Sequence, residues 1–418
     1  MIRSGLFLFL LILSFSLAEA QNNEALNLMP KILPGTPEAA SFGKFRKYPV
    51  NLFTGVPDIS IPLYEITVGE LSFPISISYH ASGIKVNDWG SWVGLGWSLS
   101  AGGSINRKVM GKTDDLPNGY LTSAYVRLAS GINTSTQADL DYLMNIYRGT
   151  YDAEPDIYSY SCGGKSGSFL FNQLNGYAPI IIPYDPIQVT KTFNAGVMSL
   201  AITDERGVNY QFYDGEYTAN SQSSFNTSGI TTWVITKMIS ANRQDTINFN
   251  YTTRFGQVSN DFNDYIILND NSSGTSAYDA GTPYTGNSTV TSYEKKIQEI
   301  NFKNGKVVFE ASASDRLDAF TGQKNLASLK VYSLDPQYNS YKLLKSILFY
   351  QSYFLSSPSN AIRSLRLDSL AVTDNAGSIV EKYKFVYNSQ LLPVKDSRSK
   401  DYWGYYNVCY LGGGIKEP

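Results

Sequence analysis

The chain has 418 residues, 43% of them hydrophobic, enough to bury a substantial core, and its length favours two structural units. Its 34 basic and 36 acidic residues are evenly spread. There is therefore no basic footprint for nucleic acid or anionic lipid, and neither is expected as a partner. The abundance of Tyr, Phe and Gly (31, 21 and 34 residues) is that of short strands and tight turns, so a mostly β fold of antiparallel sheets with few helices is expected, as a sandwich or a multi-sheet scaffold.

Residues 1–20 read as a cleavable signal peptide. Arg3 supplies the positive flank, Leu6 to Leu13 the apolar run, and Ala18-Glu19-Ala20 a small-x-small cleavage signal before Gln21. The run is far shorter than the roughly 20 residues that span a bilayer, and no later segment is apolar enough to be a transmembrane segment. Export, to the cell surface or the medium of a bacterium, is the expectation. Residues 21–40, with Pro30, Pro34 and Pro37, suit an extended leader.

A first β unit is expected over 41–254. Leu71, Phe73, Ile75, Ile77 and Tyr79 alternate with Ser72, Pro74, Ser76, Ser78 and His80, the pattern of a half-buried strand in which Pro74 marks an edge or a bulge. Between Trp92 and Arg107 the glycines Gly94, Gly96, Gly102 and Gly103 permit close backbone approach and positive φ, and Trp92 and Trp97 can cover the turns. This is a structural corner, with a strand returning through Ile105. Gln137 to Arg148 is the one helical segment, with Leu140, Leu143, Met144 and Tyr147 near one face. Gly163-Gly164 reads as a hairpin turn ahead of Phe169-Leu170-Phe171, since P-loop spacing is missing. Thr232 to Thr236 and Ile247 to Tyr251 suggest a hairpin turning near Ala241 to Gln244.

Residues 255–292 read as a long polar loop, and 293–418 as a second β unit, stopping short of a complete covering sheet, which predicts self-association through exposed strand edges. Within it Asn304-Gly305 offers the two positive-φ positions of a type I′ turn. Leu329 to Leu334 with Ile347 to Tyr350, and Leu367 to Val372 with Tyr383 to Tyr387, read as further strand pairs.

Enzymatic chemistry is not expected, nor is a cofactor or metal. The one histidine, His80, lacks a base partner or co-ligands, and two distant cysteines do not make a zinc site. Cys162 and Cys409 are either a disulfide or two separate thiols. Asp114, Asp115, Asp139, Asp141, Asp152, Glu154 and Asp156 read as solvated surface charge, although a carboxylate pair of glycosidase type is conceivable among them. Asn269 to Gly274 resembles a calcium loop in composition only. Tyrosines on a water-exposed face would suit glycan stacking, so a carbohydrate-binding module is a second reading.

Pro37 to Lys44, Pro49 to Pro57 and Gly94-Leu95-Gly96-Trp97-Ser98-Leu99 together resemble the N-terminal region of large secreted RHS/YD-repeat proteins of Bacteroidetes type. Glu154 to Tyr158, Gly164 to Phe171, Thr203 to Gly207, Asp368 to Leu370 and Asp401 to Asn407 fit the same resemblance. The Gly-Leu-Gly-Trp-Ser-Leu…Ile-x-Arg stretch ending at Arg107 is also loosely similar to N-terminal domains of virulence-plasmid B-type proteins and insecticidal toxin-complex shell subunits. The resemblance implies a non-catalytic β scaffold used in intercellular interaction or toxin encapsulation. Its partner would be a downstream repeat segment or a second copy. Neither tandem Tyr-Asp repeats nor an effector follows within the 418 residues.

Overall fold

The computed structural model describes residues 55–407 apart from 123–126, 128–130, 174–175, 195, 223–225, 256–258, 266–283, 320, 358–362, 394, 396, 398, 400 and 402. The signal peptide, its Ala20/Gln21 cleavage point, the leader, the loop at Asn269 and Cys409 all lie outside the described residues. Residues Asp58–Pro418 gather into one unit.

The strands in chain order are β1 (Asp58–Val68), β2 (Leu71–His80), β3 (Trp97–Ser100), β4 (Ser104–Lys108), β5 (Ile157–Cys162), β6 (Lys165–Asn172), β7 (Ala178–Ile182), β8 (Gln188–Asn194), β9 (Val197–Thr203), β10 (Asn209–Phe212) and β11 (Asp214–Gln222). They continue with β12 (Asn226–Val234), β13 (Lys237–Ile239), β14 (Thr246–Phe255), β15 (Ser259–Tyr265), β16 (Tyr284–Phe302), β17 (Gly305–Ala311), β18 (Leu326–Asp335), β19 (Ser340–Ser357), β20 (Arg363–Asp374), β21 (Ile379–Lys384) and β22 (Leu392–Pro393). One helix, α1 (Gln137–Tyr147), lies between β4 and β5. The fold is mostly β, as the composition implies. Among the described residues all strand pairs are antiparallel except the short β19–β22 contact.

A small sheet, β1-β2-β3, has β2 at its centre. Leu71, Phe73, Ile75 and Ile77 are buried on one face, because period-two alternation places every second side chain inward. Pro74 is tolerated because β3 reaches only from Ser76 to Tyr79, leaving that edge open where the missing N–H falls. The sheet leans on the rest of the chain through Phe73, edge-on to Phe249 at 5.0 Å, and through the Lys345 ammonium, which donates to the Leu63 carbonyl.

The remaining strands form one continuously paired sheet that branches at β16. The first part of β16 pairs with β15 and β11, and its last part with β14 and β17. From β11 pairing continues through β12, β4, β5, β6 and β7. From β14 it runs through β13, β10, β9 and β8, and from β17 through β18, β19, β20 and β21. Strand thus occupies part of the segment read as a polar loop, since β15 and the first half of β16 fall inside 255–292. Among the described residues no break in pairing separates 41–254 from 293–418, because β16 joins strands drawn from both.

Hairpins follow the sequence at some points and depart from it at others. Gly163 and Gly164, at φ 59° and 77°, form the two-residue loop between paired Cys162 and Lys165, the primed turn that suits strand twist. At the other predicted primed turn, Phe302 pairs with Gly305, so the loop is Lys303-Asn304 and neither residue has positive φ. Gly305 is instead needed for room. A Cβ there would sit 2.1 Å from the Tyr332 carbonyl oxygen across the ladder. The hairpin turning at Ala241 to Gln244 exists, but its first strand is Lys237–Ile239, and Trp233 and Val234 belong to β12, where they pair with β4 and β11.

α1 starts at Thr136, whose hydroxyl accepts from the Asp139 N–H, an N-cap that the sequence Thr-Gln-Ala-Asp supports. Its buried side is not the expected one. Leu140, Met144 and Tyr147 are exposed, whereas Asp139 and Tyr142 are covered. Asp139 accepts from the Asn133 N–H at 2.7 Å and pairs with Arg127 at 2.5 Å, which holds its carboxyl below the usual range.

Candidate functional site: a tryptophan corner and a buried arginine cluster

Residues 90–103 form the expected corner, and they are clasped by distant strands. Gly94 and Gly96 have φ of 153° and 78°. A Cβ on Gly94 would lie 3.0 Å from the Leu367 backbone nitrogen, and one on Gly96 would lie 2.6 Å from the Tyr79 ring. Gly102 and Gly103 do not have positive φ. Gly103 is required because the Ser161 carbonyl approaches to 2.9 Å of where its Cβ would be, while Gly102 faces the Tyr251 hydroxyl at 3.3 Å. The corner's backbone is stitched into the β18–β20 region. The Leu95 N–H donates to the Leu365 carbonyl, the Leu326 N–H to the Trp92 carbonyl, and the Gln351 amide to the Val93 carbonyl.

Trp97 is 4% exposed. Its ring packs on Phe385 and Tyr79 at 4.6 and 5.1 Å, and its Nε1–H donates to the Tyr387 hydroxyl at 2.8 Å. A buried indole needs such an acceptor. Beneath the corner Arg316 donates to the Gly90 and Ser91 carbonyls and pairs with Asp318 at 2.8 Å, and Asp318 accepts the Leu365 N–H. Neither Arg316 nor Asp318 is among the residues the sequence reading singled out, because their meaning lies in partners more than 40 positions away.

Arg107 follows the corner on β4. Its side chain is fully buried on the Trp233 ring, 4.8 Å to the centroid, with a hydrogen bond to the Ile230 carbonyl. It pairs with Asp115 at 2.5 Å and lies 3.7 Å from Asp156. Asp114 and Asp156 grip each other's backbone reciprocally, each N–H donating to the other's carboxylate at 3.0 Å. The Tyr158 hydroxyl donates to Asp114, and the Met110 N–H to Asp156.

This corrects the reading of these carboxylates as solvated surface. Asp114, Asp139, Asp152 and Asp156 are all buried, while Asp141 and Glu154 are exposed as expected. Burial, aided by the neighbouring Asp156 charge, pushes the Asp114 carboxyl up to about 8. Burial likewise raises Asp156 to about 6 and Tyr158 well above the ordinary phenol range. Three atoms of the cluster, Arg107 Nε, Thr113 Oγ1 and Asp152 Oδ2, find no hydrogen-bond partner. The sequence singled out Arg107, these aspartates and the Glu154 to Tyr158 segment separately, and gave no sign that they meet.

Among the described residues no group of His, Cys, Asp and Glu has the arrangement of a metal site. His80 lies at the exposed end of β2, bonded to the Ser82 hydroxyl at 2.7 Å. Cys162 is a buried free thiol, pushed up to about 12 by burial. No described helix is long and apolar enough to cross a membrane.

No protein-family model and no curated protein matches the chain. Among solved structures, the N-terminal domain of effector protein SpvB from Salmonella typhimurium strain LT2 is similar at a TM-score of 0.38 and 12% identity, over 78% of this chain and 99% of that one.

Proposed function

We propose that this protein is an exported, non-catalytic β scaffold of the RHS/YD-repeat kind, serving intercellular interaction or the encapsulation of a toxin, and docking to a repeat segment or to a second copy. One observation carries this reading: the residues that the sequence marks out are spent on internal architecture. Gly94 and Gly96 admit Leu367 and Tyr79, Trp97 bonds a tyrosine 290 positions away, and Arg107 is sealed under Asp115. The Asp114 and Asp156 carboxyls hold backbone N–H groups and are fully buried, which suits fastening a loop rather than meeting a substrate.

The test is biochemical. Protein beginning at Gln21 is incubated with a polysaccharide panel and a glycan array, and is co-expressed with an RHS-repeat segment. Co-purification with that segment or a stable self-associated species is expected. Turnover of a polysaccharide that one Asp or Glu substitution abolishes, or a glycan signal lost with one exposed tyrosine, would overturn the scaffold reading in favour of a hydrolase or a binding module.

A further inference from the structure

Beside Arg107 the chain from Met110 to Leu121 forms a small, tightly folded loop. The Leu121 N–H donates to the Asp114 carbonyl, the Gly119 N–H to the Leu116 carbonyl, and a Cβ on Gly119 would meet the Thr113 carbonyl oxygen at 2.4 Å. The loop is held at its far end by the buried Tyr120 ring and by Leu121 against the core, and at its near end by charged groups. Asp114 and Asp115 are its anchors to Arg107 on β4, and to Asp156 and Tyr158 at the start of β5. β12 closes over it where Gly229 leaves only 2.9 Å between a would-be Cβ and the Thr113 methyl. The Asp152 N–H reaches the Asn118 carbonyl, and the Lys112 ammonium the Thr150 carbonyl, from the chain before β5.

The charges do not balance. One guanidinium, Arg107, faces Asp114, Asp115 and Asp156, with Asp152 and Glu154 behind them; the other titratable neighbours are the phenols of Tyr158 and Tyr120 and the Lys112 ammonium, which lies beside Asp152. With Asp114, Asp115 and Asp156 all ionised against Arg107, two net negative charges would sit at side chains that are almost fully buried. Desolvation makes that costly, and a buried carboxylate pair relieves the cost by keeping a proton.

We propose that the Arg107 cluster is a proton-operated latch: it holds the 110–121 loop against β4, β5 and β12 while one of the buried carboxyls Asp114 and Asp156 keeps a proton, and it lets the loop go when that proton leaves. Burial is the main cause of the rise of both carboxyls, to about 8 and about 6, and the two titrate as a pair. Both are raised, so each stabilises the closed loop while protonated. That contribution is complete below the ordinary carboxylate range and is lost as the pH climbs through about 6 and then about 8. The loop is therefore closed in mildly acid surroundings and loosened in alkaline ones, the reverse of an ordinary salt-bridged carboxylate.

Hydrogen exchange on the full mature chain reads this out, with each amide normalised to its rate in the unfolded chain at the same pH. Between about pH 5.5 and about pH 8.5 the Asp114 and Leu121 amides should lose at least about tenfold protection, one pKa unit being tenfold. Ile77 and Val331 in the sheets should not change. Asp114→Asn, neutral at every pH, should keep the loop protected at the higher pH. A 13C titration of the aspartate carboxyls in the unsubstituted protein stands independently of whether that variant folds, and it should show a midpoint above about pH 5.5. Equal loop protection at both pH values, the same pH dependence in Asp114→Asn, or aspartate midpoints all below about pH 5 would each overturn the latch.

Discussion

Trp97 is the residue on which the corner turns, since it packs against both Phe385 and Tyr79 and ends in a hydrogen bond to Tyr387. Trp97→Ala removes a buried aromatic and strands the Tyr387 contact. A loss of about 3–5 kcal/mol is expected in a denaturant titration, while Trp97→Phe should recover much of it. Arg316 is the charged counterpart. Its removal leaves the fully buried Asp318 carboxylate with no cation and the Gly90 and Ser91 carbonyls without donors. Arg316→Met should therefore cost about 3–5 kcal/mol in the same titration, the usual penalty for breaking one side of a buried pair. A cost under about 1 kcal/mol would mean that water replaces the guanidinium. Trp97 was legible from the glycines around it. Arg316 was not, because nothing local distinguishes it from a surface arginine.

Among the elements, the two predicted primed turns separate what local sequence can and cannot say. Gly163-Gly164 needs positive φ at both positions, and glycine answers that need without reference to the rest of the chain. Gly305 answers a need imposed by β18. Gly305→Ala should destabilise by about 1–3 kcal/mol through overpacking against the Tyr332 carbonyl, read as a lowered Tm. Gly164→Asn, where nothing stands within 4 Å and asparagine tolerates positive φ, should cost far less. The helix shows the same division. Its existence over Gln137 to Arg148 followed from spacing. Its buried side was decided by Arg127 and Asn133 gripping Asp139. Met144→Gln on the exposed stripe should change stability by no more than about 0.5 kcal/mol, whereas Thr136→Ala should cost about 1 kcal/mol through the lost cap, both measured by urea unfolding.

For the whole molecule, the proposal of export stands on residues 1–20 alone. N-terminal sequencing of protein recovered outside the cytoplasm should begin at Gln21, and an intact Met1 there would sink the proposal. By itself the sequence determined that this is a mostly antiparallel β protein, that a helix begins near Gln137, which face of β2 turns inward, and that the backbone bends through Gly94 and Gly96. Those features follow from period-two alternation and backbone freedom, both of which act over a few neighbouring residues. Only the tertiary structure decided that β16 joins strands across the region read as a loop, and that Asp114 and Asp156 are buried. The physical reason is the same for both. Burial of a polar group and pairing of a strand are properties of two segments brought together, here 42 positions apart for the aspartates and 76 for Tyr217 of β11 and Tyr293 of β16. No pattern within either segment alone reports the distance between them.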